Sequence, residues 1–571
     1  MGTPLLPAAV AVWLGAAAVV LAAGFTGLVP RLTIAVALAL AAIAARRMTW
    51  QLAPVGLAVG VVSAALHAMP LAMGPVADAA SQRAVVTATA RVASDPVAVR
   101  TRNALDWSAR DVRVVRLDLT EVTARGHRVT VHVPVTAFVS DAVPVMGHVV
   151  QVTGRLAPPP PGRAVAATMT VTTITVVRPP PRFHTWALQL RAALHTALRT
   201  SPDAARQLVP GLALGDTSAL AQPLASDMRA AGLSHLTAVS GANVALVVAG
   251  ALLVTRGRRR STRVVMALCA IGAFTVLVRP QPSVVRAAAM GAVAAVAILL
   301  RRRTQALASL CAAVCVLVVW DPWLAVSYGF ALSVLATGGL ILSPARPTHL
   351  WTRLLAATLA AQVAVLPITV ALGSPVTLAS IPANLVAVPL AAPAMVLGLA
   401  TCVVAAVWPA GGAALAWLPS LPASAIAWVA HTAASWDAAV LPWPSGPLGV
   451  GAATVLTVWC ATLAARWRDL DFQERASTGV ATAVLVAACL APPDPVASVW
   501  PPPGWVMVQC DVGQGDATVV RVAAHQAVVI DVGGDDALID NCLRRLHIRQ
   551  VPLLVLTHFH ADHVGGLAGA L

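Results

Sequence analysis

The sequence predicts a polytopic α-helical membrane protein that carries a separate, external β-barrel domain and ends in an α/β segment. Three observations predict it. Hydrophobic residues make up 58% of the 571 residues, charged residues only 11%, and mean hydropathy is +0.79. The long apolar runs stop between about 78 and 200, where short alternating segments replace them. After Pro501 the pattern changes again, to strand-like segments and clustered histidines. This composition excludes a disordered chain, a collagen and a soluble enzyme of ordinary make-up. A chain of this length calls for at least three parts.

Charge has to be read by position. All 39 basic residues are Arg and none is Lys, so the net charge of +16 reflects coding bias as well as function. Without Lys no Gly-x-x-x-x-Gly-Lys-Ser/Thr nucleotide loop is possible. Energy for any transport is therefore expected from a partner or a gradient. Six of the eight Cys lie in apolar runs and read as small hydrophobes. Cys510 and Cys542 fall in polar context, and the sequence leaves their pairing open.

Residues 1–70 hold three apolar runs, at 7–29, 32–45 and 52–69. No Arg precedes Arg31, so the first reads as a membrane span and not a cleaved signal. Arg46 and Arg47 place the loop after the second run in the cytoplasm, and the third span leads outward. Residues 78–200 then read as a small barrel or sandwich, with strands at 84–92, 112–122, 128–135, 148–156 and 168–177. Pro158–Pro161 reads as a stiff loop, and Pro179–Pro181 closes the domain. These residues hold 15 Arg against 7 Asp and Glu, half of the net charge of the chain. One reading is a solvated surface rich in Arg. The other is a barrel face that tracks a phosphate backbone, as single-strand-binding OB-folds do. Trp107, Phe138, Phe183 and Trp186 are few aromatics for base stacking.

Residues 201–492 return to membrane composition. Candidate spans lie at 236–255, 264–278, 284–300, 306–320, 323–343, 354–372, 376–408 (broken), 447–465 and 478–491. Arg256, Arg258, Arg259, Arg260 and Arg263 follow the first, and Arg301, Arg302 and Arg303 the third. Starting from an external β domain, both clusters fall in the cytoplasm. Arg466 and Arg468 join them if an odd number of crossings lies between 373 and 465. The last span then delivers the C-terminus outside, so both soluble parts are expected on the external face. Pro375, Pro382, Pro389, Pro393, Pro409, Pro419 and Pro422 are expected to interrupt every candidate helix between 374 and 436. Broken helices there suit a transport path; short helices lying at the interface are the plainer alternative.

Six polar residues stand out in this region: His235, Ser240, Asn243, Arg286, Gln362 and Asn384. Each by itself reads as an interhelical hydrogen-bonding group. Together they read as the lining of a polar channel.

The C-terminal part, 504–571, has strands expected at 505–509, 519–522, 527–530 and 551–556, with a helix at 538–546. The last strand runs into Thr557-His558-Phe-His560-Ala-Asp562-His563, followed by Gly565-Gly566. Three imidazoles and a carboxylate at a strand end suit Zn²⁺ or Mn²⁺, and the chemistry they suit is metal-activated water attacking an electrophile. His558, His560, Asp562 and His563 are the candidate ligands. Asp531, one strand earlier, is a candidate to orient one of them. Asp511 and Asp516, in Asp511-Val-Gly-Gln-Gly515-Asp516, are weaker candidates, since hairpin Asp residues are usually turn-formers. Residues 501–571 carry 7 Asp against 4 Arg, opposite in sign to the β domain.

The order of parts resembles the ComEC family of DNA-internalisation (competence) proteins. The resemblance is carried by the β domain, by Ala231-Gly-Leu-Ser-His-Leu…Ser240-Gly, by Asp321-Pro-Trp…Ser327-Tyr-Gly-Phe330-Ala-Leu-Ser333, and by the Asp-Val-Gly-Gln-Gly-Asp and Thr-His-Phe-His-Ala-Asp-His pair. It implies a channel passing single-stranded DNA into the cytoplasm during natural transformation. It further implies an OB-like DNA-binding domain and a metallo-β-lactamase-like nuclease domain. By the same resemblance His558, His560, Asp562 and His563 are metal ligands. The partners it implies are DNA, membrane lipid, and other competence proteins, including an external ATPase or DNA receptor. The sequence stops eight residues past His563, so the family's later ligands are expected beyond Leu571, and this chain alone is expected to have little or no nuclease activity. Two other functions fit parts of the sequence: a membrane-anchored metallohydrolase acting on another phosphoester, and a small-solute transporter with a vestigial domain.

Overall fold

The computed structural model describes residues 5–22, 52–101, 110–124, 126–140, 144–160, 163–237, 241–279, 282–299, 306–343, 349–436, 439–441, 443–444, 446–466, 473–474, 477–479, 481–482, 501, 503–513 and 515–571. Ser240, Trp107, Arg46, Arg47, Arg301, Arg302, Arg303, Arg468, the run 32–45 and most of the candidate span 478–491 lie outside them. The chain forms two compact units. One comprises Met1–Asp95, Val115–Ala137 and Pro144–Leu490, the other Pro96–Val114, Phe138–Val143 and Ala491–Leu571.

In the larger unit α1 (Leu5–Ala22) and α2 (Ala53–Ala72) run parallel and touch backbone to backbone. A Cβ on Gly56 would lie 2.6 Å from the Ala8 carbonyl, and one on Gly60 2.3 Å from that of Val12. Apolar helices gain little from burial against lipid-like surroundings, so small residues that permit close van der Waals contact decide where they meet. After α3 (Pro75–Ser81) the chain enters the sheet: β1 (Val85–Val92), β2 (Val97–Thr101), β3 (Arg110–Ala124), β4 (His127–Val139), β5 (Val149–Ala157) and β6 (Ala167–Arg178). The order β1-β5-β6-β4-β3, closed by pairing of β1 with β3, makes a five-stranded barrel. Its inward positions alternate as the pleat demands: Ala88 faces Val152 and Ala90 faces Val150, all four buried. Gly154 sits where the β5–β6 register shifts, and a Cβ there would lie 2.3 Å from the Thr170 carbonyl.

Each of the five alternating segments forms a strand. β2, whose register sets Val97 against Val114 and Thr101 against Arg110, was too short to show a period in the sequence. The β part ends at Arg178, not near 200. Residues Arg182–Ala197 form a helix, α4, whose Ala187, Leu190 and Leu194 are buried in the helical core.

The helical part continues with α5 (Asp203–Leu214), α6 (Gln222–Ala230), α7 (Ser234–Thr237), α8 (Gly241–Val254), α9 (Arg260–Val278), α10 (Pro282–Leu299), α11 (Ala306–Trp320), α12 (Tyr328–Leu342) and α13 (Leu350–Ala371). Then come β7 (Val376–Thr377), α14 (Ser380–Val407), α15 (Pro409–Leu415), α16 (Trp417–Ala434), β8 (Val440–Leu441) and α17 (Gly446–Arg466). Among the described residues six helices are long and apolar enough to cross a membrane.

Pro375 and Pro409 lie at breaks between helices, as expected, but the other five prolines do not interrupt the helices that hold them. α14 runs unbroken for 28 residues through Pro382, Pro389 and Pro393, and α16 through Pro419 and Pro422. Pro382 and Pro419 are third residues and Pro409 is the first residue of their helices, positions where no intrahelical N–H bond is lost. Pro389, Pro393 and Pro422 lie deeper, where packing neighbours offset the lost bond. The neighbours are present: Ala387, Ala394, Cys402 and Ile426 belong to one buried cluster with Leu194, Leu208 and Leu212.

The smaller unit contains a four-stranded sheet in the order β12-β11-β10-β9, from β9 (Met507–Gln509), β10 (Thr518–Ala523), β11 (Gln526–Ile530) and β12 (Gln550–Val555). β11 and β12 are parallel, with α18 (Asp536–Arg545) between them in sequence. Two short helices, α19 (Ala561–Val564) and α20 (Leu567–Ala570), complete the described chain. Ile539 and Leu543 of α18 pack on Val519, Ala527 and Val529 of the sheet. Cys510 and Cys542 form a disulfide.

Candidate functional site

The histidine motif begins where β12 ends. His560 is the residue before α19, and its carbonyl accepts from the His563 and Val564 amides at 2.9 and 3.0 Å. That one helical turn brings His563 back beside His558. The two rings lie 4.0 Å apart, and the His558 and His560 rings 4.4 Å apart, edge to face.

Asp531 organises this corner. It follows β11, is 3% exposed, and has a left-handed backbone (φ 56°) that Asp tolerates better than most residues. Its Oδ1 accepts the Thr557 amide at 2.8 Å, and its Oδ2 accepts the Thr557 hydroxyl at 2.6 Å and His563 Nδ1 at 2.9 Å. Burial works to raise this carboxyl, but the Thr557 and His563 hydrogen bonds outweigh it and hold it below its usual range. An ionised carboxylate only accepts, so His563 carries a hydrogen on Nδ1, and in the neutral ring this tautomer leaves the lone pair on Nε2. The same logic reaches a second ring. Thr557 gives its one hydroxyl hydrogen to Asp531, so His558 Nδ1, 3.0 Å from Thr557 Oγ1, must donate. One buried carboxylate thus sets the tautomer of two histidines. Thr557 was missed in the sequence, although a hydroxyl beside a ligand-type His is the signal that could have found it.

Asp511 caps its own turn by accepting the Gly513 amide at 3.3 Å, and Asp516 accepts from Gln509 Nε2 at 3.2 Å. Gly515 (φ 110°) brings their loop against the motif: a Cβ there would lie 1.7 Å from the Asp562 carbonyl. Among the described residues no three His, Cys, Asp or Glu side chains converge on a common point able to hold an ion. The donor chemistry nonetheless suits a divalent cation, with imidazole nitrogens oriented through a buried carboxylate.

The five described polar residues of the helical part separate into groups; Ser240, the sixth, lies outside the described residues. Gln362 Nε2 donates to Ser380 Oγ at 3.0 Å, and Asn384 Nδ2 donates to the Ser380 carbonyl at 2.7 Å and the Gly232 carbonyl at 3.5 Å. Gly232 has φ 68°, and a Cβ on it would lie 2.7 Å from Ser380 Cβ. Asn243 donates to the Leu212 carbonyl at 3.2 Å. His235, on α7, is exposed. Arg286 is 4% exposed and donates to Thr337 Oγ1 at 3.0 Å and to Ser333 Oγ. The structure joins Gln362 to Asn384 through Ser380 and sets Arg286 in a hydroxyl pair of its own. Ser380 and Thr337 escaped the sequence reading because isolated hydroxyls in apolar helices carry no pattern.

A helical membrane region followed by a segment of metallo-β-lactamase type is the class that fold and sites define, and residues 510–571 match the metallo-β-lactamase superfamily. Residues 212–468 match the family described as Competence protein, in line with the resemblance to the ComEC family. It is 25% identical over 433 residues to ComE operon protein 3 of Bacillus subtilis (strain 168), a match covering 69% of this chain and 53% of that protein. The chain thus matches about half the length of that curated relative. No solved structure matches.

Proposed function

We propose that this protein is a multi-pass channel that takes up single-stranded DNA across the cell membrane in natural transformation. One observation carries the reading: the competence-family match at 212–468 coincides with apolar helices that hold Arg286 and the Gln362–Ser380–Asn384 group inside them. Polar and ionisable groups are costly inside such helices, and clusters of them mark paths for polar cargo. The net positive β domain supports an OB-like role in holding the strand's phosphates. External placement of the C-terminal part is supported by the Cys510–Cys542 disulfide, since disulfides persist in oxidising compartments.

At the histidine corner, His558, His560, Asp562 and His563 would hold a divalent cation, Zn²⁺ or Mn²⁺, with Asp531 orienting two of the rings. When bound, such an ion supplies activated water for phosphodiester hydrolysis. This chain's own contribution is to fix the Nδ1 hydrogens of His558 and His563 and so present their Nε2 atoms.

The test is transformation by a null strain complemented with variants. Arg286→Ala and Asn243→Ala are expected to lower transformation at least tenfold while the protein stays in the membrane at normal abundance. Wild-type frequency in both variants would count decisively against a DNA channel and favour a membrane-anchored hydrolase.

A further inference from the structure

We propose that the Cys510–Cys542 disulfide is a redox switch on the histidine corner: once formed, it seats the turn 511–516 against the metal-ligand motif and so completes a site for a divalent cation. The inference rests on the metal reading of that corner and on its external placement, and deepens both.

The bond joins two elements at a weak point of the sheet. Cys510 follows β9, a three-residue edge strand whose ladder to β10 has three rungs, ending at Gln509 opposite Thr518. Cys542 lies in α18, 32 residues further on. Beyond the ladder, the Cys510 amide donates to the Ala517 carbonyl at 2.8 Å. Short edge elements with few hydrogen bonds open locally at little cost. A covalent tie to α18 matters most at such a place.

The turn that the bond anchors touches the corner on three sides. A Cβ on Gly533, two residues past Asp531, would lie 2.5 Å from the buried Val512 side chain, and the Gly533 amide donates to the Asp516 carbonyl at 3.0 Å. One on Gly515 would lie 1.7 Å from the Asp562 carbonyl oxygen, and one on Gly513 3.5 Å from Leu538 Cδ1 of α18. α18 presses on the same motif. A Cβ on Gly566 would lie 3.1 Å from Ile539 Cγ2, and Asp536 Oδ1 accepts the Gly569 amide at 3.2 Å. Turn and helix thus grip the chain on both sides of His563, and the disulfide locks them to each other. Bonded together, the two cysteines are not ligands. They are positioning residues, acting on imidazoles whose placement a metal site needs to within about 0.5 Å.

In a reducing compartment both cysteines are thiols. On the oxidising side Cys542, half-buried where Cys510 is buried, is the more accessible. Its thiolate attacks the disulfide of an external oxidant and expels one of the oxidant's sulfurs. The Cys510 thiolate then displaces the other, closing the Cys510–Cys542 bond. Two electrons and two protons pass to the oxidant, which leaves as two thiols. A hydrolytic metal centre that assembles only after this exchange stays inactive while the segment shares a compartment with the cell's own DNA.

The full chain in nanodiscs would be compared oxidised, reduced with a dithiol, and as Cys510→Ala/Cys542→Ala. On reduction, amide exchange read by mass spectrometry is expected to show loss of protection at 511–516 and 557–566, while β10 and β11 keep theirs. Reoxidation by oxidised glutathione should restore it. Titration with Mn²⁺, which thiols bind poorly, is expected to show an affinity about tenfold lower in the double variant. Reduced wild type serves for the exchange reading if that variant does not fold. Unchanged protection at 557–566 overturns the switch. So does an equal loss over the whole of 505–571, since the bond is then a general staple, and so does a measurable Mn²⁺ affinity that is the same with and without the bond. If oxidised wild type binds no Mn²⁺ while the selective exchange response is present, the metal reading of the corner falls and the redox coupling of turn to motif stands.

Discussion

Asp531 shows how much one side chain can settle. Its two oxygens accept from Thr557 twice and from His563 once, and through Thr557 it also dictates the hydrogen on His558. Asp531→Asn keeps the size and tolerates the left-handed backbone, but its amide can no longer accept from all three. Metal affinity measured by titration calorimetry on the full chain is expected to fall 10- to 100-fold, roughly the cost of losing a ligand-orienting group. An unchanged affinity would show that Asp531 has no such role. Asp216 shows the same physics in a structural setting. Burial would raise its carboxyl, but bonds from His195 and Ser218 and the charge of Arg191 push it far below its usual range. A carboxyl depressed on folding adds stability above its unfolded value and loses it as pH falls through the folded one. Asp216→Asn should therefore be destabilised at neutral pH by about 3–5 kcal/mol, the cost of leaving a buried cation unpaired. The gap in thermal midpoint to wild type should close only well below the ordinary carboxylate range. A gap already closed at pH 5 would contradict the assignment.

At the scale of elements, glycines decide which helices meet. The Gly56-Leu-Ala-Val-Gly60 spacing lies on one face of α2, and both positions admit α1 to backbone contact. Gly60→Leu forces the two apart at a cost of about 1–3 kcal/mol. Amide exchange along α1 is expected to rise. Gly250→Leu, where nothing lies within 4 Å, is the matched control and should leave exchange as it was. The barrel uses glycine differently: Gly154 accommodates a register shift between β5 and β6 and lets the sheet curve closed. The long proline-bearing helices belong to this scale too. A proline in the first turn of a helix and one in its middle look alike in sequence, and only the helix start tells them apart.

Across the whole molecule, charge is distributed by part: strongly positive over 78–200, negative over 501–571. In the barrel, Arg91 and Arg178 occupy ladder positions on either side of Val149, and both are exposed. If the barrel holds a strand's phosphates, replacing both by Gln reduces the salt slope of single-strand binding by about 1.4, at about 0.7 per phosphate contact. A slope equal to wild type would remove these two residues from the interface. The reading of this region as OB-like and DNA-binding depends on that result more than on strand count.

Composition and periodicity alone determined the membrane class, the strands at 84–92 through 168–177 and the position of the histidine motif at a strand end. Those properties are local: hydropathy over a window, alternation over a strand, spacing within a loop. Tertiary structure alone decided that Arg182–Ala197 joins the helical core, that Pro389 and Pro393 leave α14 unbroken, and that Cys510 bonds Cys542. It also decided that Arg286 is buried among hydroxyls and that Gln362 and Asn384 share Ser380. Each of these is a contact between residues far apart in the chain, and its energy depends on which neighbour arrives to fill a space or accept a hydrogen bond. No window of sequence contains that neighbour.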